Sequence, residues 1–222
     1  MGATSSIVDE YVRTFDRRLR GPARLRRDLV HEVRDSLADA VEAYTLAGMD
    51  GPAAQHRAVA EFGDPAELVP AYQRELAAAA LRALAVRVVA VAGVLTVAGD
   101  LTWRGSSWSD GPRPPAGYVL LSATLNWLWV GAALLAVAGW ALLRWNARRG
   151  GTAPVGAVRS LGCGLTGTLL LAAGAGAGLY VWSLGLWEAA LTWPPMIVGL
   201  FVVGTGYVWL GRAAHTWLAT TR

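Results

Sequence analysis

Few side chains among these 222 residues have the type and spacing to do chemistry. His31, His56 and His215 are widely separated, with no pair at the spacing that lets one helix face hold a metal. The single cysteine, Cys163, lies in an apolar run and has no second thiol for an internal disulfide or a metal pair. No glycine-rich phosphate loop is present. Gly174, Gly176 and Gly178 fall inside an apolar stretch, where small residues four apart, such as Gly174 and Gly178, let helix backbones approach closely. No acid, base and nucleophile converge in the pattern. The expectation is a non-enzymatic protein with no metal and no cofactor.

Three polar residues remain in or near apolar surroundings. Asp100 is the only acid that could lie within a membrane span, where a carboxylate is costly and therefore often functional. It stands three residues before Trp103 and about one helical turn from Arg104. A solvated or Arg104-paired group near the outer interface is one reading, and an intramembrane sensor is the other. Asn126 suits a hydrogen bond between helices, and Glu188 suits a solvated loop.

The elements that must position these residues follow from composition. Residues 1–82 carry thirteen of the sixteen acids and eleven of the twenty arginines. Residues 83–222 carry nine arginines against Asp100, Asp110 and Glu188, together with all eleven tryptophans. The net charge of +4 therefore does not describe a basic nucleic-acid-binding face, because the polar part of the chain is slightly acidic. Met1 to Glu10 has neither a basic start nor an apolar run, so no cleavable signal peptide is expected.

In the polar part, Ser5 or Ser6 can cap a first helix, with Asp9 and Glu10 in its first turn. Ile7, Tyr11, Phe15 and Leu19 form one apolar stripe. Gly21-Pro22 breaks that helix and opens a second, with Pro22 at its first position. Leu25, Leu29, Val33, Leu37, Ala40, Val41 and Tyr44 would form its inner face, and Gly48 would close it in a left-handed conformation. Gly51-Pro52 starts a third helix with Ala54, Ala58, Val59 and Phe62 inward, and Gly63 stops it. Asp64-Pro65-Ala66-Glu67 reads as the capped start of a fourth. Pro70 could bend its first turn. From Ala71 no glycine, proline or turn cluster intervenes before Gly93, so this helix should run on without a flexible linker.

Four apolar stretches follow, at about 84–103, 118–143, 161–184 and 193–210, each long enough for a hydrocarbon core of about 30 Å. Nine arginines flank one side of these spans, whereas the other has only Arg104 and Arg113. The positive-inside rule then places both termini in the cytosol of a multi-pass cell-membrane protein. Trp103, Trp108, Trp187 and Trp193 would mark the outer interface, with Trp145, Trp209 and Trp217 near the inner one. The expected fold is all-α: a cytosolic helical domain over residues 1–82 and a four-helix transmembrane bundle over 83–222. The loop Arg144–Ser160 between the second and third spans would be short and polar.

Residues 11–76 resemble the HAAS domain, the helix-turn-helix-associated alpha-helical signalling family, also called the permease prefix domain. The resemblance rests on Tyr11 and Leu19, then Leu25-Arg26-Arg27, then the run Glu32-Val33-Arg34-Asp35-Ser36-Leu37-Ala38-Asp39-Ala40. It closes with Gly48, Pro52, Ala54, Ala58-Val59 and Phe62-Gly63-Asp64-Pro65. Where the family commonly has histidine after the Arg-Asp pair, this chain has Ser36, so no role of that histidine carries over. The resemblance covers about a third of the chain and does not extend to the spans.

It implies a cytosolic helical module, attached to membrane helices, that relays a membrane state to a PadR-type transcriptional regulator or a neighbouring permease. The expected partner surface is Arg34, Asp35, Ser36 and Asp39, together with Phe62, Gly63, Asp64 and Pro65. Phe62 and Gly63 have a competing reading as core and cap, and Asp64 as a helix cap. The leading function is a membrane-anchored signalling module that binds and controls a cytosolic partner, with membrane lipid among its contacts and no direct nucleic-acid binding. The alternative is an accessory subunit of an exporter, docked on a permease or its ATPase. The glycines of the third span allow a homo-oligomer, and packing within one chain explains them equally.

Overall fold

A computed structural model describes residues 6–103, 114–149, 154–186 and 194–221, with side chains throughout except at 98–103 and 194–196. Its elements are seven helices: α1 Ile7–Arg18, α2 Ala23–Leu46, α3 Gly51–Phe62, α4 Pro65–Trp103, α5 Ala116–Arg148, α6 Val155–Leu186 and α7 Pro194–Thr221. The chain divides into two compact units. The first runs to Ala80 and includes the C-terminal residues from Leu218, and the second is Leu81–Trp217. The protein is all-α, and among the described residues four helices are long and apolar enough to cross a membrane.

In the first unit, Tyr11, Phe15 and Leu19 of the apolar stripe are buried, joined by Val12. They meet Val33 and Leu37 of α2, Ala58 of α3 and Leu76 of α4 in one core. Two edge-to-face ring pairs tie it together: Tyr11 on Phe62 at 5.9 Å and Phe15 on Tyr72 at 5.2 Å. Leu25 departs from its expected place on the inner face of α2, being 38% exposed. It lies in the first turn, before the helix meets the core.

The helix ends use both local and distant partners. α2 closes in a Schellman motif: Gly48 at φ +94° donates to the Thr45 carbonyl, and Met49 to that of Tyr44. Asp50 caps α3 by accepting from the Ala53 amide at 3.3 Å. Asp64 caps α4 through Ala66 at 2.7 Å, but Glu67 makes no return bond among the described residues. Ser6 precedes α1 without capping it. Instead Ile7 donates its amide, and Ser6 its hydroxyl, to the Gln55 side-chain carbonyl of α3. Pro22 stands one residue before α2 rather than within it.

In the second unit α5 and α6 pack along one another. Tyr118 and Ser183 share a hydrogen bond at 3.0 Å, and Tyr118 meets Trp182 edge to face. The expected close approach at Gly174 and Gly178 is not found. A Cβ at Gly174 would meet nothing within 4 Å, and at Gly178 only Leu121 at 3.9 Å. Close packing falls on Gly162 instead, where a Cβ would lie 2.0 Å from Trp217 Cζ2 of α7. Trp217 is therefore fully buried, contrary to its expected place as an interface anchor.

The long apolar helices also outrun their apolar cores. α7 continues to Thr221 rather than ending near Leu210, because Leu210, Ala213, Ala214 and Trp217 keep a helical apolar stripe after overall hydropathy has fallen. α5 and α6 reach Arg148 and back to Val155, which shortens the expected loop at Arg144–Ser160.

Candidate functional site

The candidate surface on α2 divides by helical phase. Val33 and Leu37 point into the core. Opposite them, Asp28, Glu32, Asp35 and Asp39 recur at the four- and three-residue steps that align side chains on one face. All four are exposed. Asp35 accepts from or pairs with the His31 ring Nδ1 at 2.8 Å, according to the tautomer, one turn away on the same exposed face. Ser36 borders the stripe and is also exposed. Arg34 lies off it, on the flank toward α1, where its guanidinium meets Asp9 at 3.2 Å. Arg34 is thus engaged within the fold, whereas Asp35, Ser36 and Asp39 face outward. The period-matched partners Asp28 and Glu32 extend the stripe. Their spacing was visible in the chain, and the burial of Val33 and Leu37, expected on the inner face, leaves this face open.

The second group, Phe62 to Pro65, has structural duties. Phe62 packs on Tyr11, and the Tyr11 hydroxyl donates to the Gly63 carbonyl at 2.8 Å. Gly63 adopts φ +101°, a conformation that disfavours any side chain. Asp64 caps α4, and Pro65 takes that helix's first position, where its missing amide costs nothing. Burial, helped by Asp64 and Tyr72, pushes the Tyr11 hydroxyl up to about 12. No hydrogen bond, ion pair or ring contact among the described residues joins these four to Asp35, Ser36 or Asp39. Two further contacts fix the far side of α2 and α3: Tyr44 donates to Glu61, and Arg57 pairs with Glu61 at 2.6 Å. The Tyr44 hydrogen bond holds the Glu61 carboxyl below its usual range.

Gln73 of α4 carried no signal in the sequence. Its side-chain carbonyl accepts from the Arg20 amide at 3.0 Å, and its amide donates to the carbonyls of Arg20 and Thr220. One glutamine thereby joins the turn between α1 and α2 to α4 and to the end of α7, all inside the first unit.

In the second unit, cations stack on indoles: Arg144 over Trp140 at 5.0 Å and Arg149 over Trp145 at 4.2 Å toward the end of α5, and Arg87 over Trp209 at 5.1 Å between the middle parts of α4 and α7. The two pairs of α5 suit the headgroup level of a bilayer, where indole and guanidinium both find partial hydration. Asn126 is exposed on α5 and has no hydrogen-bond partner among the described residues, so the expected bond to a neighbouring helix is not formed. The Asp100 side chain, Arg104, Trp108, Trp187, Glu188 and Trp193 lie outside the described residues, as does the Trp103 ring. Among the described residues no three His, Cys, Asp or Glu side chains are grouped to hold a metal ion.

No family model matches the chain, and neither the curated proteins nor the solved structures contain a match to it.

Proposed function

We propose that this chain is a membrane-anchored, non-enzymatic signalling module whose first unit binds and controls a cytosolic protein of the PadR regulator type. The observation that carries the reading is the outward stripe of Asp28, Glu32, Asp35 and Asp39 on α2, opposite the buried Val33 and Leu37. Four carboxylates along about 16 Å of helix suit a basic protein surface, and only Asp35 has a side-chain partner among the described residues, the exposed His31. The identity of the partner rests on the HAAS resemblance of residues 11–76. Both termini are assigned to the cytosol by the arginine bias of the loops.

On this proposal α4 links recognition to the membrane. It is one helix from Pro65 to Trp103, so a displacement of its apolar portion can reach the recognition unit without a flexible joint. The test is a crosslinked pull-down of the full-length protein from native membranes, beside an Asp35→Asn/Asp39→Asn variant. Recovery of a helix-turn-helix regulator by the wild type, and its loss from the variant, supports the reading. Recovery of a permease or ATPase instead replaces it with the exporter-accessory role.

A further inference from the structure

The corner between α1 and α2 is the most basic surface of the first unit. Residues 13–27 hold seven arginines and one acid, Asp16, which is occupied by Arg26 at 3.2 Å. Arg17, Arg18, Arg20, Arg24 and Arg27 are exposed, and none is paired with a carboxylate among the described residues. Such a concentration of like charge around one turn opposes folding unless a counter-charge is near.

The position of the corner follows from contacts within the unit. Along α1 and the turn, Tyr11 bonds the Gly63 carbonyl, Phe15 packs on Tyr72, Arg20 is held by Gln73, and Gly21 lies against Leu76. The partners advance in the same order, so α1 runs in the direction of α4. The arginine corner therefore stands at the end of the unit from which α4 continues toward its apolar stretch.

From this placement we propose that the α1–α2 corner docks on the anionic phosphate headgroups of the leaflet facing the first unit. Arg18, Arg20 and Arg24 supply the principal contacts. Their guanidinium groups make no hydrogen bond or ion pair among the described residues, and guanidinium matches phosphate oxygens in geometry and charge. The attraction is worth about fivefold per arginine near such a surface. Arg24 stands one turn before Asp28 on the same exposed face of α2, so the membrane contact would adjoin the start of the acidic stripe.

The test uses the full-length chain in nanodiscs, with a fluorophore on Ala23→Cys in a Cys163→Ala background. Ala23 is exposed and opens α2 beside the corner. The same small fraction of lipid bearing a headgroup nitroxide quencher is included in discs of phosphatidylcholine alone and in discs containing roughly a third phosphatidylglycerol. Quenching should rise several-fold in the anionic discs, fall when sodium chloride is raised, and return to the phosphatidylcholine level in Arg18→Gln/Arg20→Gln/Arg24→Gln. Equal quenching in the two discs, or full retention by the triple variant, overturns the proposal. Release by low inorganic phosphate, beyond the effect of sodium chloride at equal ionic strength, would mark a site for free phosphoanions and also overturn it.

Discussion

The Trp217 ring occupies the space above Gly162 that any other residue's Cβ would fill: Cζ2 lies 2.0 Å from that position, and the ring's other nearest atoms within 2.5 Å. This contact seats α7 on α6 through the bulkiest of the fully buried side chains and a residue with none. Gly162→Ala should destabilise the second unit by about 1–3 kcal/mol, the usual range for an added methyl in a tight site. Thermal unfolding in detergent, followed by tryptophan fluorescence, measures it. Trp217→Leu in the same chain should recover part of the loss, since its smaller side chain leaves room for the methyl. An unshifted midpoint in the glycine variant would refute the contact.

Gln73→Leu should loosen the first unit at the arginine corner. It removes one acceptor and two donated bonds, each with a net value of about 1 kcal/mol. Limited trypsin digestion should then cut after Arg18 or Arg20 faster than in the wild type, with cleavage after Arg57 unchanged. Equal rates at both places would contradict the role given to the clamp.

Tyr11 should titrate late. Its folded value is raised from 10.0 to about 12, so its stabilising contribution is fully present below pH 10 and lost as pH rises toward 12. The sign follows because burial disfavours the phenolate, and ionisation removes the proton donated to Gly63. Tyr11→Phe should eliminate one late-titrating tyrosine in an absorbance titration at alkaline pH. It should also flatten stability loss in that window while lowering stability at neutral pH. A curve unchanged above pH 10 would remove Tyr11 from the account.

Asp64 and Asp39 should separate folding from recognition. Asp64→Ala removes a helix cap and should cost about 1 kcal/mol of stability. Asp39→Ala, on the open face, should leave thermal stability within about 0.5 kcal/mol. Partner capture should show the reverse order, falling for Asp39→Ala and surviving for Asp64→Ala. If Asp39→Ala captures partner as well as the wild type, the stripe is not the binding face.

A Gly-Gly insertion after Ala78 tests α4 as a conduit. Two glycines inside a helix cost about 2 kcal/mol and add a joint. Partner binding should persist while transcription of the regulator's target no longer responds to the membrane state. Undiminished output from the insertion variant would refute the conduit.

The sequence alone determined the features whose causes are local. Gly48 and Gly63 adopt positive φ where turns require it, and Asp64 accepts from an amide two residues on. The four apolar stretches follow from composition alone, because a bilayer demands length and hydropathy whatever the packing. For the candidate surface, the phase of Asp35 and Asp39 was legible from the helical repeat, as was the competing structural reading of Phe62 to Asp64.

Tertiary structure alone decided which distant residues complete those elements. Gln55 reaches the start of α1 from 48 residues away, and Gln73 bonds Thr220 across 147. Neither glutamine has a distinctive sequence context, since a surface amide and a clamping amide look alike until the fold brings partners near. The same limit governs the spans. When a helix is apolar all round, periodicity no longer reveals its buried face. Gly162 rather than Gly174 therefore receives the neighbouring helix because of where Trp217 arrives.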